Sequence, residues 1–147
     1  EKTEMRDTLH NNKYVPVLAP VVIGDNTATT GAWIDRLGYE GLTFAVQTGI
    51  LADADATFAV TMQEANADDQ SDAASVDDAN MISMTDGVAP EAAAGFDYAD
   101  DGAVKKIGYI GHKRYVRVTI TPANNAGSAP VAILAHLSHA STRPVAA

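Results

Sequence analysis

The sequence predicts an all-β fold, namely an antiparallel β-sandwich or jelly roll of about seven to eight strands. Several segments alternate apolar and polar residues with a period of two, which is typical of half-buried strands. Turn-forming residues separate these segments, and no stretch has the periodicity of a long amphipathic helix. With 147 residues and 46% apolar content, the chain is long enough to bury one core.

Three regions are predicted along the chain. An extended N-terminal arm precedes a single β-sandwich domain that contains a long acidic loop, and a short tail follows. The bounds are 1–20 for the arm, 21–138 for the domain, 65–101 for the loop and 139–147 for the tail.

The apolar part of the arm is interrupted by two prolines. Proline cannot donate a hydrogen bond to a sheet, so residues 14–20 are expected to form an edge strand or an extended arm on their own domain or on a neighbour. Tyr14, Pro16 and Leu18 are the contact residues that this interpretation predicts. A short strand at Val21–Ile23 is expected to open the domain.

Three further segments of the domain have strand character. Leu42–Gln47 and Thr57–Gln63 alternate in the same way, and the linker of about ten residues between them favours neighbouring positions in one antiparallel sheet. Val131–Leu137 is expected to be the last strand.

Residues 104–122 form the most regular pattern in the chain. Two alternating segments flank Gly111–Arg114, which supplies a glycine and three polar residues, so a β-hairpin is predicted. Five of the ten Lys and Arg residues lie here, and Lys113, Arg114 and Arg117 are therefore candidate interface residues on a basic face.

The charge distribution limits the function classes. The formal net charge is −9, and the chain has no Lys or Arg between Arg36 and Lys105, where most of its acidic residues lie. Such a surface repels polyanions, so direct binding of nucleic acid is not expected. No apolar run reaches the roughly 20 residues of a membrane span, and the charged N-terminus does not resemble a signal peptide, which favours a soluble protein.

The acidic loop is rich in small residues. A helical turn is predicted at Pro90–Ala94, with proline in the first helical position, and Phe96 and Tyr98 are expected to lead the chain back into the sheet. Asp53–Asp55 and Asp68–Asp72 bring carboxylates close together, but the run supplies no glycine at the sixth position of an EF-hand, so a solvated loop is favoured over a loose calcium site.

No motif supports catalysis, a metal or a cofactor. His136 and His139 have the spacing H-x-x-H, but residues three apart in a strand point to opposite faces. The chain has no cysteine, no phosphate-binding loop and no nucleophile motif, so neither an enzyme nor a cofactor is predicted.

Trp33, the single tryptophan, lies in a short segment between two glycines. A lone tryptophan can serve as a sugar-binding platform, which would make the chain a carbohydrate-binding module. Because no other aromatic residue flanks it, a core or interface anchor is favoured.

One segment resembles a known group of proteins. The run from Lys106 to Val118, with the pattern G-Y-I-G-x-K-R-Y between two strands, is similar to small proteins encoded among the head genes of tailed bacteriophages and prophages. Gly31–Asp35, Gly41–Phe44 and Ala56–Phe58 contribute to the similarity. The resemblance implies a virion structural protein, above all a capsid decoration or cement protein, and no catalytic residues.

The same resemblance implies partners and a location. The expected partners are the major capsid protein and further copies of the chain, with a trimer suited to the local three-fold positions of an icosahedral shell. The expected place is the outer surface of a phage head, after synthesis in the host cytoplasm, and a head-to-tail connector or tail component is the alternative. Candidate interface residues are Tyr14, Pro16, Leu18, Trp33, Lys113, Arg114 and Arg117.

Overall fold

The alternating segments of the sequence form two antiparallel β-sheets that pack face to face. The structure is a computed structural model and describes residues 6–146. Residues 1–5 of the predicted arm and Ala147 of the predicted tail lie outside the described residues. The prediction of an all-β sandwich is confirmed.

The described residues contain eleven strands and two short α-helices. The helices are α1 (Thr8–Asn11) and α2 (Pro90–Ala94), and short 3₁₀ turns lie at Asp78–Asn80 and Tyr98–Asp100. The strands are β1 (Lys13–Ile23), β2 (Thr29–Thr30), β3 (Ile34–Asp35), β4 (Tyr39–Thr48), β5 (Thr57–Ala65), β6 (Ala74–Ser75), β7 (Met81–Ser83), β8 (Phe96–Asp97), β9 (Val104–Tyr109), β10 (Tyr115–Ala123) and β11 (Ala129–Ala140).

The strand order is that of a jelly roll. Sheet A has the order β1-β11-β4-β9-β7, and sheet B has the order β2-β10-β5-β6, with β3 also on β10 and β8 also on β5. The chain passes from one sheet to the other at almost every connection between long strands. Two Greek keys wound across two sheets give this arrangement.

The core lies between the sheets and is built by alternate residues of the long strands. In β11 the buried positions are every second residue, and the same holds for β4, for β10 and for β5 as far as Met62. The largest fully buried side chains are Tyr109, Phe44, Met62, Ile107, Ile120, Ile133 and Leu137. Burial of these apolar surfaces is the main favourable term in folding.

The predicted hairpin at residues 104–122 is wrong. β9 pairs with β4 in sheet A, whereas β10 pairs with β5 in sheet B, so Gly111–Arg114 crosses between the sheets. Strand periodicity reports which residues face the core, but it does not report which strand supplies the hydrogen-bonding partner. The basic residues of this segment are therefore divided between the two sheets.

The predicted pairing of Leu42–Gln47 with Thr57–Gln63 is wrong for the same reason. The first segment lies in β4 of sheet A and the second in β5 of sheet B. The linker between them crosses one end of the sandwich and buries Leu51 and Ala56 against the core.

The apolar part of the predicted arm is an edge strand. β1 pairs with β11 from Lys13 to Ile23, and the predicted separate strand Val21–Ile23 is its continuation. The register shifts twice between Pro16 and Val21, which accommodates residues that cannot follow a regular ladder.

The segment between β2 and β3 lies along the middle of the open edge of β1 and forms hydrogen bonds to both sheets. The Gly31 amide donates to the Val118 carbonyl of sheet B (2.9 Å), and the Ala32 amide donates to the Val17 carbonyl of sheet A (2.8 Å). A Cβ atom at Gly31 would collide with the Val17 side chain, so only glycine fits where the two sheets are joined.

The acidic segment 65–101 contains short regular elements rather than one continuous loop. It includes β6, β7, β8 and α2, and the predicted helical turn at Pro90–Ala94 is confirmed. Val76, Met81 and Phe96 are buried and attach the segment to the core.

Two adjacent residues of β11 test which side of this strand faces the core. Ile133 is 2% exposed and Leu134 is 42% exposed. We expect Ile133→Ala to lower the free energy of unfolding by about 2–5 kcal/mol through loss of buried surface and a residual cavity. Leu134→Ala should change it by less than about 1 kcal/mol. Urea unfolding of both variants measures the difference, and equal losses would contradict the assignment.

Candidate protein-binding surfaces

The segment that crosses between the sheets is fixed by a buried tyrosine. We call residues 110–114 the corner. Tyr109, at the end of β9, is 1% exposed, and its hydroxyl donates to the Glu64 carboxylate (2.6 Å). The same hydroxyl oxygen accepts the backbone N–H of Lys113 (3.0 Å). One side chain of sheet A thus holds the corner and binds a residue of sheet B.

Arg36 satisfies the carbonyl groups of the corner. Its Nη2 and Nε atoms donate to the carbonyls of Gly111 and Lys113, each at 3.0 Å. Its guanidinium carbon also lies 4.9 Å from the centre of the Tyr109 ring, within the range of a cation–π contact. Polar backbone groups that no β-ladder pairs are therefore paired by a side chain.

Gly111 is required where the corner passes the tyrosine. A Cβ atom at this position would collide with the Tyr109 ring, so any other residue would displace the ring or the backbone.

Burial and the hydrogen bond to Glu64 raise the pKa of Tyr109 to about 12, because both favour the neutral hydroxyl.

Arg114 belongs to the same structural network. Its Nε and Nη2 atoms each lie 2.8 Å from a carboxylate oxygen of Asp35, and Nη1 lies 3.4 Å from Asp68. The hydrogen bonds from Arg114 lower the pKa of Asp35. The Tyr115 hydroxyl donates to Asp68 (3.0 Å). The guanidinium group is thus occupied by contacts within the chain, while the neighbouring Lys113 is exposed.

Trp33 and Arg117 lie together on the outer side of sheet B. The Arg117 guanidinium lies 4.4 Å from the centre of the Trp33 ring, and its Nε donates to the Gln63 side chain (2.9 Å). Trp33 is half-buried. One face of the indole is covered by this cation, which leaves less ring surface for stacking against a sugar.

Tyr14 and Pro16 lie on the outer side of sheet A. The Tyr14 ring stacks on His136, with centroids 5.1 Å apart and planes at 11°. Leu18 is half-buried and packs against the core. The predicted interface residues therefore occupy separate places: the outer side of sheet A, the outer side of sheet B, the corner and, for Leu18, the margin of the core.

The outer side of sheet A, which we call the outer face, has several exposed apolar side chains. One row across all five strands consists of Tyr14, His136, Thr43, Gly108 and Ile82, and the next consists of Pro16, Leu134, Ala45 and Lys106. Its larger apolar side chains are well exposed: Tyr14 50%, Ile82 54%, Val104 47% and Leu134 42%. A shallow groove beside Ile82 is lined in part by the small residues Gly41, Thr43 and Gly108.

The outer face is almost free of acidic residues. Among the five strands of sheet A, Glu40 at the beginning of β4 is the single carboxylate, although the chain has 19 acidic residues. Lys106 adds an exposed positive charge. A surface with exposed apolar side chains and a single carboxylate can be covered by another protein at low desolvation cost.

Sequence reasoning missed Leu134, Ile82 and Val104. The signal for Leu134 was present, because β11 contains apolar residues on both faces, which is typical of a strand covered on both sides. Ile82 and Val104 gave no such signal, since the strands that contain them are short and their partners are distant in sequence.

Several acidic side chains of the described chain hold turns. Backbone amides of Ala126 and Ala67 donate to Asp53 and Asp72 respectively, and these bonds lower the pKa of both carboxyls. Residues 6–146 contain no group of three or more potential ligands that could hold a metal ion.

No helix among the described residues is long and apolar enough to cross a membrane. The fold and these surfaces define the chain as a jelly-roll domain with one apolar outer face. Comparisons with family models, with curated proteins and with solved structures gave no match to the chain.

Tyr109→Phe tests the corner. We expect this variant to lose about 1–3 kcal/mol of stability at pH 7, because Glu64 and the Lys113 amide lose a buried partner. The raised pKa in the folded state makes this contribution complete below about pH 10 and removes it between pH 10 and about 12. Urea unfolding should therefore show that Tyr109→Phe loses less free energy of unfolding across this pH range than the native chain does. Parallel losses in the two proteins would contradict the assignment.

Arg114→Gln tests whether this side chain stabilises the fold, and Lys113→Gln is the matched control. We expect the first variant to unfold at lower urea concentration and the second to be close to the native chain, because the Lys113 side chain makes no ion pair within residues 6–146. The lowered pKa of Asp35 stabilises the fold above about pH 4 and ceases to do so as the pH falls. The stability lost on acidification should therefore be smaller in Arg114→Gln than in the native chain. Identical acid profiles of the two proteins would contradict a stabilising role of Arg114.

Proposed function

We propose that the chain is a structural virion protein that decorates and stabilises the outside of a phage head. The observation that carries this proposal is the outer face of sheet A, with its exposed Tyr14, Ile82 and Leu134 and its near absence of carboxylates. In a chain of net charge −9, this is the surface best suited to lie against another protein.

The fold adds support by analogy. Jelly rolls are common in viral capsid proteins, although the architecture also serves lectins and enzymes. The functional argument therefore depends on the outer face and on the resemblance of residues 106–118 to phage head-region proteins, not on the architecture.

The size of the outer face favours repeated rather than single attachment. The five strands of sheet A have 42 residues in all. At about 3.3 Å per residue and about 4.8 Å between strands they cover an area on the order of 700 Å². A stable two-protein interface buries about 800 Å² per partner. One outer face therefore falls slightly short of a stable interface, and several faces linked in one oligomer would bind tightly through their combined attachment. A protein that is present in many copies on a lattice meets this condition.

Binding to expanded heads tests the proposal. The heads would come from a phage or prophage that encodes the chain, purified without this protein, and bound protein would be quantified after sedimentation. We expect Leu134→Asp to weaken binding about tenfold or more, because a carboxylate would be buried in the interface. Thr61→Asp adds the same charge on the exposed outer side of sheet B and should bind like the native chain.

The same heads give a functional readout. Added native protein should raise the temperature at which they lose DNA, and Leu134→Asp should not. Failure of the native protein to bind heads would refute the decoration role. Binding confined to the head-to-tail vertex would instead identify a connector or tail component.

A further inference from the structure

The two lateral edges of the sandwich carry opposite charges. The strand orders place β1 and β2 at one edge and β7 and β6 at the other. We call these the basic edge and the acidic edge. They are separate from the outer face, which lies between them on sheet A.

The acidic edge presents carboxylates that no cation of the described chain neutralises. Asp77 and Asp78 lie where the chain crosses from β6 to β7, and Asp86 follows β7. All three are exposed, and none makes an ion pair within residues 6–146. The exposed side chain of Val88 lies in the same segment (41% exposed).

The basic edge brings together residues from both ends of the chain. Lys13 begins β1, Arg6 precedes α1, and Arg143 follows β11. The Val145 amide donates to the His10 carbonyl (2.8 Å), which holds the C-terminal segment beside α1. Within the described part of the chain, these three cations have no carboxylate partner.

An exposed apolar residue accompanies the cations of the basic edge. Leu9 in α1 is 70% exposed. The basic edge also contains two carboxylates, Asp7, which lies 2.6 Å from His10, and the exposed Asp25 in the turn after β1, so its three cations exceed its carboxylates by one. The acidic edge contains Asp77, Asp78 and Asp86, so the two edges are opposite in net charge, and each has at least one exposed apolar side chain.

We propose that copies of this chain associate head to tail, with the basic edge of one copy against the acidic edge of the next. Identical edges would repel each other in a two-fold dimer, whereas unlike edges attract and fix the register. Head-to-tail contacts form a closed ring when the rotation between copies permits it, and a trimer is one such ring. This arrangement leaves the outer face of every copy free.

Reversal of charge at each edge tests the proposal. The basic-edge variant is Lys13→Glu with Arg143→Glu, and the acidic-edge variant is Asp77→Lys with Asp78→Lys. We expect the native chain to be an oligomer and each variant to have the 15.3 kDa mass of one chain. Light scattering at about 0.15 M ionic strength, where screening acts over roughly 8 Å, measures the mass.

The combined four-residue variant provides the decisive comparison. It has the formal net charge of the native chain, −9, since the reversals cancel. We expect it to recover the oligomer, because its two edges are again complementary.

Two controls change charge outside the edges. Lys106→Glu lies on the outer face, and Asp55→Lys lies in the exposed loop between β4 and β5, so both should keep the native mass. A monomeric native chain, an oligomer that persists in both edge variants, or no recovery in the combined variant would overturn the proposal. Since the assay contains no heads, its outcome is independent of the decoration role, which Leu134→Asp tests separately.

Discussion

The two hydrogen bonds of the Tyr109 hydroxyl are the interactions on which the crossing between the sheets at the corner depends. The hydroxyl is buried, it donates to Glu64 on sheet B, and it accepts the Lys113 amide of the corner. A buried hydroxyl without these partners would cost free energy, so tyrosine, glutamate and the corner backbone fix one another. Arg36 completes the arrangement by binding the corner carbonyls. Because β9 and β10 enter different sheets on either side of this corner, their side chains meet in the core without a shared ladder.

The charged side chains fall into two groups, those that stabilise the fold through contacts within the chain and those that remain unpaired at the surface. Arg36, Arg114 and Lys105 are engaged within the chain, by carbonyls, by Asp35 and by Asp100 respectively. Among residues 6–146, the cations without such partners lie at the basic edge, at the corner and on the outer face. Since exposed ion pairs contribute little to stability, the unpaired charges are free to determine which surfaces approach each other. The basic residues that were most prominent in the sequence are therefore not all available for binding.

The class of fold could be predicted from the sequence, but the pairing and the connections of the strands could not. Alternation along β4, β5, β10 and β11 reports burial, and burial decides that two sheets enclose a core. Pairing depends on contacts between distant segments, so the jelly-roll order and the crossing at the corner were not predictable from local pattern. The same limit applies to the outer face. Tyr14 and Pro16 were predicted interface residues, but Leu134 and Ile82 join them only because β1, β11 and β7 enter one sheet.

The corner also gives a physical reason for the pattern G-Y-I-G-x-K-R-Y. Gly111 avoids the tyrosine ring, Tyr109 binds Glu64, and Arg114 binds Asp35, so these residues of the pattern serve the fold. Proteins that share such a pattern would be expected to share a corner of this kind, whatever they bind. Binding specificity would then depend on residues outside the pattern, such as those of the outer face, where a substitution does not disturb the core. A structural motif and a variable binding surface can thus change independently in one small domain.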